Sequence, residues 1–215
     1  PAEQAEAADF VSVVLGSTED VWREIFRASG QTYREPRLIL FSGRTSAGAC
    51  GMGASAMGPF YCPPNQEVYL DLTFFDDLAR MGGGGDFAAA YVIGHEVGHH
   101  VQNLLGTSDQ VRRLQQGRSQ ADANALSVRL ELQADCYAGV WAYHANRGGD
   151  VTLSPGDVDV GLRAAAAIGD DRMLSRAGRD VVPEAFTHGS SQQRQEWLRR
   201  GLESGDPQAC ETFSE

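Results

Sequence analysis

Val92-Ile-Gly-His-Glu-Val-Gly-His-His-Val101 places His95 and His99 four residues apart in an apolar run, with Glu96 directly after the first. The run suits a helix buried in a core, and residues four apart on a helix share a face. Two imidazoles on one face can converge on a single metal ion. Glu96 can then reach a water at that ion. His100 lies about 100° further round the helix and is expected outside the ligand set, in a supporting or surface role. Gly94 and Gly98 read as packing devices that let other backbone come close.

The second informative stretch is Glu131-Leu-Gln-Ala-Asp135, inside an Ala- and Leu-rich run from Ala121 to Ala145 that holds no proline and one glycine. This run also reads as a helix, and Glu131 and Asp135 share one of its faces. A catalytic zinc site uses three protein ligands and keeps a fourth position for water. His95, His99 and Glu131 supply three, for one Zn2+ per chain. A metal-bound histidine gives its other ring N–H to an acceptor, and Asp135 is placed to take it, with His95 the expected donor.

These two helices together resemble gluzincin metallopeptidases, and more closely the bacterial neutral zinc metallopeptidase family. The likeness is carried by Ala56-Met-Gly-Pro-Phe-Tyr-Cys-Pro63, Val68-Tyr-Leu-Asp-Leu72, Gly94 to Gln102, Glu131 to Trp141 and His188-Gly-Ser-Ser191. It runs from about Arg37 to the C-terminus. The resemblance implies a minimal α+β fold: a mostly helical single domain with a small sheet whose edge strand lies over the zinc-binding helix. It also implies that this strand, here Glu67–Leu72 with Val68, Tyr69 and Leu70, binds substrate backbone as an added strand. An ordinary core strand is the competing reading. The segment at Thr187-His188, with Arg194 following, is similar to one that gluzincins place beside the metal. There His188 would donate a hydrogen bond to a developing oxyanion, against a purely structural role.

Composition bounds the remainder. A 215-residue chain, 42% hydrophobic and 22% charged, is ordinary for one soluble domain spanning residues 1–215. Residues 1–35 are expected to form a helical segment packed on it. All eighteen basic residues are arginine, and the net charge of −11 argues against nucleic-acid binding, which needs a basic patch. No apolar run approaches the roughly 18–20 residues that span a bilayer. The opening at Pro1 is expected of a processed or truncated ectodomain, and the resemblance implies a membrane anchor preceding residue 1.

Cys50, Cys62, Cys136 and Cys210 form no Cys-x-x-Cys pair, which disfavours a structural zinc or thioredoxin-like site. Four cysteines permit three pairings. Cys50 with Cys62 would close a short Gly-rich loop, worth about 3 kcal/mol. Cys136 with Cys210 would then follow by elimination and tie the C-terminal tail to the second ligand helix, unless Cys136 is simply a small buried residue. An even count points to an extracytoplasmic compartment.

Local signals place the elements. Ser17-Thr-Glu-Asp20 reads as a capping-box start to a helix ending near Gly30, with Val21, Trp22, Ile25 and Phe26 as its apolar stripe. Leu38–Phe41 reads as a strand, Gly43–Gly58 as a loop, and Ala56–Tyr61 and Glu67–Leu72 as strands joined by a turn at Pro63–Gln66. The metal helix should run from near Asp86 to Gly106. Ser154 and Ser190 should cap two later helices, the last with Trp197 and Leu198 packed. His144, near a helix end, reads as exposed or in contact with the helix dipole.

The chemistry these parts imply is hydrolysis of peptide bonds: zinc activates water, and Glu96 takes its proton and passes it to the leaving amine. Peptides or proteins are the expected substrate. A zinc hydrolase of a non-protein amide and a zinc-stabilised scaffold without turnover are the alternatives. Glu96 weighs against the scaffold, which has no need of a base.

Overall fold

Apolar periodicity and helix caps dominate this chain, and the computed structural model is accordingly mostly helical, with a small mixed sheet on one flank. It describes residues 2–54 and 58–214. Helix α1 (Ala2–Ala28) leads into β1 (Arg37–Phe41), a hairpin of β2 (Arg44–Ser46) and β3 (Met52–Ala54), then β4 (Phe60–Cys62) and β5 (Glu67–Asp71). Helices α2 (Phe74–Leu78), α3 (Asp86–Leu104), α4 (Thr107–Gln115) and α5 (Gln120–Gly148) follow. The chain ends with α6 (Pro155–Ala167), α7 (Asp170–Arg176) and α8 (Ser191–Ser204).

Helix α3 is the centre. From Phe87 to Gln102 every residue but His99 is buried, as expected of a helix enclosed on all sides. Ile93, Val97 and Val101 have no exposure, each burial contributing about 1.5–3 kcal/mol. α1, α5 and α6 pack around it. Gly98 meets α5 so closely that a Cβ there would stand 2.9 Å from the Ala134 carbonyl oxygen, and one on Gly94 would stand 2.9 Å from Trp141. α5 and α8 approach through Gly139 and Gly201 in the same way: a side chain on either would overlap the other helix's backbone. Such contact brings whole helices near enough for their polar side chains to meet.

Caps end these helices where the sequence places them. Ser154 with Asp157, and Ser190 with Gln193, form capping boxes at α6 and α8. Cys50 is bonded to Cys62 and Cys136 to Cys210. The second bond joins α5 to the turn Pro207–Cys210 and closes a loop of 74 residues, worth about 4 kcal/mol by chain entropy.

Several sequence expectations are corrected. Ser17 does not start a helix, because α1 begins at Ala2 and runs through it. The buried Ser17 hydroxyl accepts from Trp141 Nε1 at 3.1 Å, and the buried Thr18 hydroxyl donates to the Leu15 carbonyl at 2.6 Å. Polar side chains partnered in this way mimic a capping motif in sequence while lying mid-helix. The segment 43–58, read as loop, contains the β2–β3 hairpin. Of the strand expected over 56–61, the residues Ala56 and Met57 lie outside the described residues, and the strand itself is Phe60–Cys62.

The strand Glu67–Leu72 also differs from expectation. β5 is the central strand of the order β1–β5–β4, parallel to β1 and antiparallel to β4. Neighbours on both sides occupy its main-chain groups, so Val68, Tyr69 and Leu70 offer no edge to an added strand. All three are buried. The edge strand beside α3 is β4.

Candidate metal centre

α3 and α5 bring the two i, i+4 pairs together. Among the described residues, ligand atoms of His95, His99 and Glu131 lie within 4.8 Å of one another. His95 Nε2 is 3.0 Å from Glu131 Oε2, and His99 Nε2 is 3.1 Å from Glu131 Oε1. Both imidazoles therefore turn the same nitrogen toward one carboxylate.

Their other nitrogens decide the donor chemistry. His95 Nδ1 lies 2.8 Å from Asp135 Oδ1, and His99 Nδ1 lies 2.9 Å from Gln102 Oε1. Both partners are acceptors, so each Nδ1 carries its hydrogen and donates it. In the neutral ring each Nε2 then presents a lone pair to the Glu131 carboxylate. Lone pairs facing an anion repel unless a proton or a metal cation stands between them. This donor set fits Zn2+, with two nitrogens and one carboxylate as protein ligands.

Charge in the pocket argues the same way. Burial pulls the His95 pKa down, but Asp135 and then Glu131 outweigh it and push it up to about 10. His99 is also raised, by Glu131 against burial. Burial works to raise Glu131, yet the two histidines hold it well below the usual carboxylate range. Each shift expresses a demand for positive charge at this point.

Asp135 is fully buried and more heavily engaged than its sequence spacing implies. Besides His95 it accepts from the Tyr91 hydroxyl, from Arg194 Nε at 2.8 Å and from Arg194 Nη2 at 3.0 Å. Burial would raise its pKa, but Arg194 and His95 keep it lowered. α8 delivers Arg194 to this pocket, where the guanidinium is 3% exposed.

A cleft of about 590 Å³ opens over these groups. Glu96 lines it, 7% exposed, its carboxyl raised by burial against the lowering pull of His95 and His99. His188 lines it too and is half-exposed, with Nδ1 3.3 Å from Asp170 Oδ1. Asp170 also accepts from the backbone N–H groups of Thr187, His188 and Gly189 at 2.7–2.9 Å, fastening this loop. From the sheet, Gly58, Pro59, Phe60 and Tyr61 form one lip.

The remaining residues named from the sequence lie elsewhere. Val68, Tyr69 and Leu70 do not line the cleft, and the Tyr69 ring stacks on Phe60 with centroids 4.7 Å apart. His100 is neither at the surface nor a ligand. Its Nε2 donates to the Arg34 carbonyl and its Nδ1 accepts from the Tyr61 hydroxyl at 2.7 Å, pinning β4 and the segment after α1 onto α3. Burial lowers its pKa, in keeping with a neutral ring. His144 Nε2 donates to the Gly205 carbonyl at 2.7 Å, joining the ends of α5 and α8. Sequence reasoning misses the roles of Tyr91 and Gln102, although Tyr91 precedes His95 by four residues and Gln102 follows His99 by three. The spacings put Tyr91 on the face of α3 that carries His95 and Gln102 on the face that carries His99.

Comparison with known proteins joins this geometry to a family. The model of the family described as "Putative neutral zinc metallopeptidase" matches residues 1–213. The chain belongs to this family. The Escherichia coli (strain K12) member called "Uncharacterized protein YpfJ" is 54% identical over 209 residues, covering 97% of this chain and 72% of the relative. "Uncharacterized protein Rv2575" of Mycobacterium tuberculosis (strain ATCC 25618 / H37Rv) is 44% identical over 224 residues, covering 98% and 73%. No solved structure gives a significant match. Membership in the zinc metallopeptidase family implies zinc and peptide substrates, and the His95–His99–Glu131 group is where this chain can hold the metal.

Proposed function

We propose that this chain is a zinc-dependent endopeptidase, with His95, His99 and Glu131 as metal ligands and Glu96 as general base. The supporting observation is the pair of Nε2 atoms facing Glu131 while both Nδ1 atoms are held by acceptors, with Glu96 in the same cleft. Zinc held there supplies Lewis acidity, polarising the scissile carbonyl and acidifying an attacking water. Glu96 accepts the proton of that water and returns it to the leaving amine.

His188 serves as a donor to the developing oxyanion, its ring held from behind by Asp170. Substrate backbone aligns along β4, the sheet edge at the lip of the cleft, in place of the central strand β5. The two disulfides support an extracytoplasmic location. Among the described residues no helix is long and apolar enough to cross a membrane, so a membrane tether would lie outside them.

The test is to incubate the zinc-loaded protein and its Glu96→Gln variant with a complex peptide library and read new termini by mass spectrometry. Cuts made by the wild type alone support the endopeptidase. No cuts from protein confirmed to hold one zinc would favour a hydrolase of another amide or a scaffold.

A further inference from the structure

Behind His99 runs a line of amides that the metal centre itself does not explain. Gln102 has no exposure and Gln133 is 5% exposed. Gln102 Oε1 faces His99 Nδ1 at 2.9 Å, while its Nε2 donates to the Leu130 carbonyl at 2.7 Å and to Gln133 Oε1 at 3.0 Å. Gln133 Nε2 in turn donates to the Cys210 carbonyl at 3.0 Å.

The direction of this line is fixed at its far end. A carbonyl oxygen only accepts, so Cys210 and Leu130 force each amide to point its NH2 away from the metal pocket. Gln102 must then offer oxygen to His99, and His99 must carry its hydrogen on Nδ1. Reversing either amide would set oxygen against oxygen in a buried place, which is costly. Gln133 and Cys136 are three residues apart on α5, on one face. The same C-terminal turn therefore meets both, through the Cys210 carbonyl and through the Cys136–Cys210 disulfide. Thr212 adds a bond to the Arg129 carbonyl at 2.7 Å.

We propose that Gln102 and Gln133 are positioning residues: Gln102, set by the Leu130 carbonyl and by Gln133 on the disulfide-tied Cys210 carbonyl, holds His99 in the tautomer that frees its Nε2 for metal. This rests on the metal reading above. His95 has its own buried anchor in Asp135 and Arg194, whereas His99 depends on this neutral amide line. The site is thereby coupled to the oxidation state of Cys136 and Cys210, which lie on the far side of the line from the ligands.

The experiment measures zinc affinity by competition with a chelating dye, together with the His99 Nδ1–H signal in long-range nitrogen–proton NMR of the zinc-loaded protein. Wild type is compared with Gln102→Met, Gln133→Met, Cys136→Ala/Cys210→Ala, and Gln133→Met combined with the cysteine pair. His99→Ala reports loss of a ligand. The relay predicts that Gln102→Met weakens zinc binding by about 10–100-fold. Gln133→Met and the cysteine pair should each weaken it by a smaller factor, and combining them should add little, because both interrupt one line. In Gln102→Met the His99 Nδ1–H should lose its protection from solvent exchange, and in the Gln133 and cysteine variants that protection should fall by a smaller factor. Should the cysteine variant fail to fold, Gln133→Met and the NMR signal carry the test alone. Zinc bound through His99 with affinity and Nδ1–H protection unchanged in Gln102→Met and Gln133→Met would overturn the relay and leave the metal centre standing. A wild type that takes up no zinc overturns the metal reading and the relay with it.

Discussion

Arg194 clasps Asp135 with two nitrogens, Nε to Oδ2 at 2.8 Å and Nη2 to Oδ1 at 3.0 Å, in a pocket where neither side chain is more than 3% exposed. Asp135 passes that order on to His95. The carboxylate is thus charge-balanced from α8 while it orients a ring on α3, and three helices meet at one anion.

Arg194→Met should expose the cost of that arrangement. It leaves a buried carboxylate without its counter-charge, and removal of one partner from a buried pair costs about 3–5 kcal/mol. Urea unfolding should show a loss of this size. Asp135→Asn in the Arg194→Met background should recover part of it by removing the stranded charge. Equal stability of wild type and Arg194→Met would refute this account of the pair.

Acid should loosen the loop at His188. Burial acts to raise Asp170, but hydrogen bonds from the His188 ring and from the His188 and Gly189 backbone lower it overall. A depressed carboxylate contributes stability above its unfolded pKa and loses it as pH falls through the lower folded value. The His188 pKa is raised by its bond to Asp170. That contribution is complete below the unfolded pKa of about 6.5 and is lost as pH rises through the folded value. The stability gap between wild type and Asp170→Asn should therefore be widest in mildly acidic solution, close as pH falls through the folded Asp170 value, and narrow only in part at alkaline pH, where the backbone N–H bonds to Asp170 persist, as read by urea unfolding across pH.

Gly98→Ala should act on α3 and α5 together. Its Cβ would stand 2.9 Å from the Ala134 carbonyl oxygen, which is backbone and cannot swing aside. Overpacking of this kind costs about 1–3 kcal/mol. Because His99 and Glu131 sit on the two helices pushed apart, zinc affinity should fall as well. A fully stable variant with native zinc affinity would show that the helices yield freely.

Chelation should separate activity from folding. α3 and α5 are held by core packing, close glycine contacts and the Cys136–Cys210 bond before any metal joins them. Removing zinc should abolish peptide cleavage while far-UV circular dichroism at 25 °C stays native. Free zinc at a hundredfold excess over Kd should add about 2.7 kcal/mol of stability. Unfolding on chelation would instead mark a structural metal.

Much of the candidate site is legible in local spacing. His95 with His99, and Glu131 with Asp135, stand one helical turn apart, and period 3.6 suffices to put each pair on one face. Helices capped by Ser154 and Ser190 are equally legible, since a capping box is a four-residue device. Ser17 misleads because its hydroxyl serves Trp141, a residue far along the chain. The position of Glu67–Leu72 misleads for a related reason: alternation marks a strand but says nothing about its neighbours in the sheet.

Sequence by itself determined the helical character and brought forward His95 with His99, and Glu131 with Asp135, as paired candidates with Glu96 beside the first pair, because these depend on spacing within single helices. Only the tertiary structure decided that β4 and not β5 forms the lip, that Arg194 balances Asp135, and that Gln102 and Gln133 connect His99 to Cys210. Those relationships join residues tens of positions apart. The two polar linkages among them exist because glycines at the α3–α5 and α5–α8 contacts let the helices approach until buried polar groups must find partners across them.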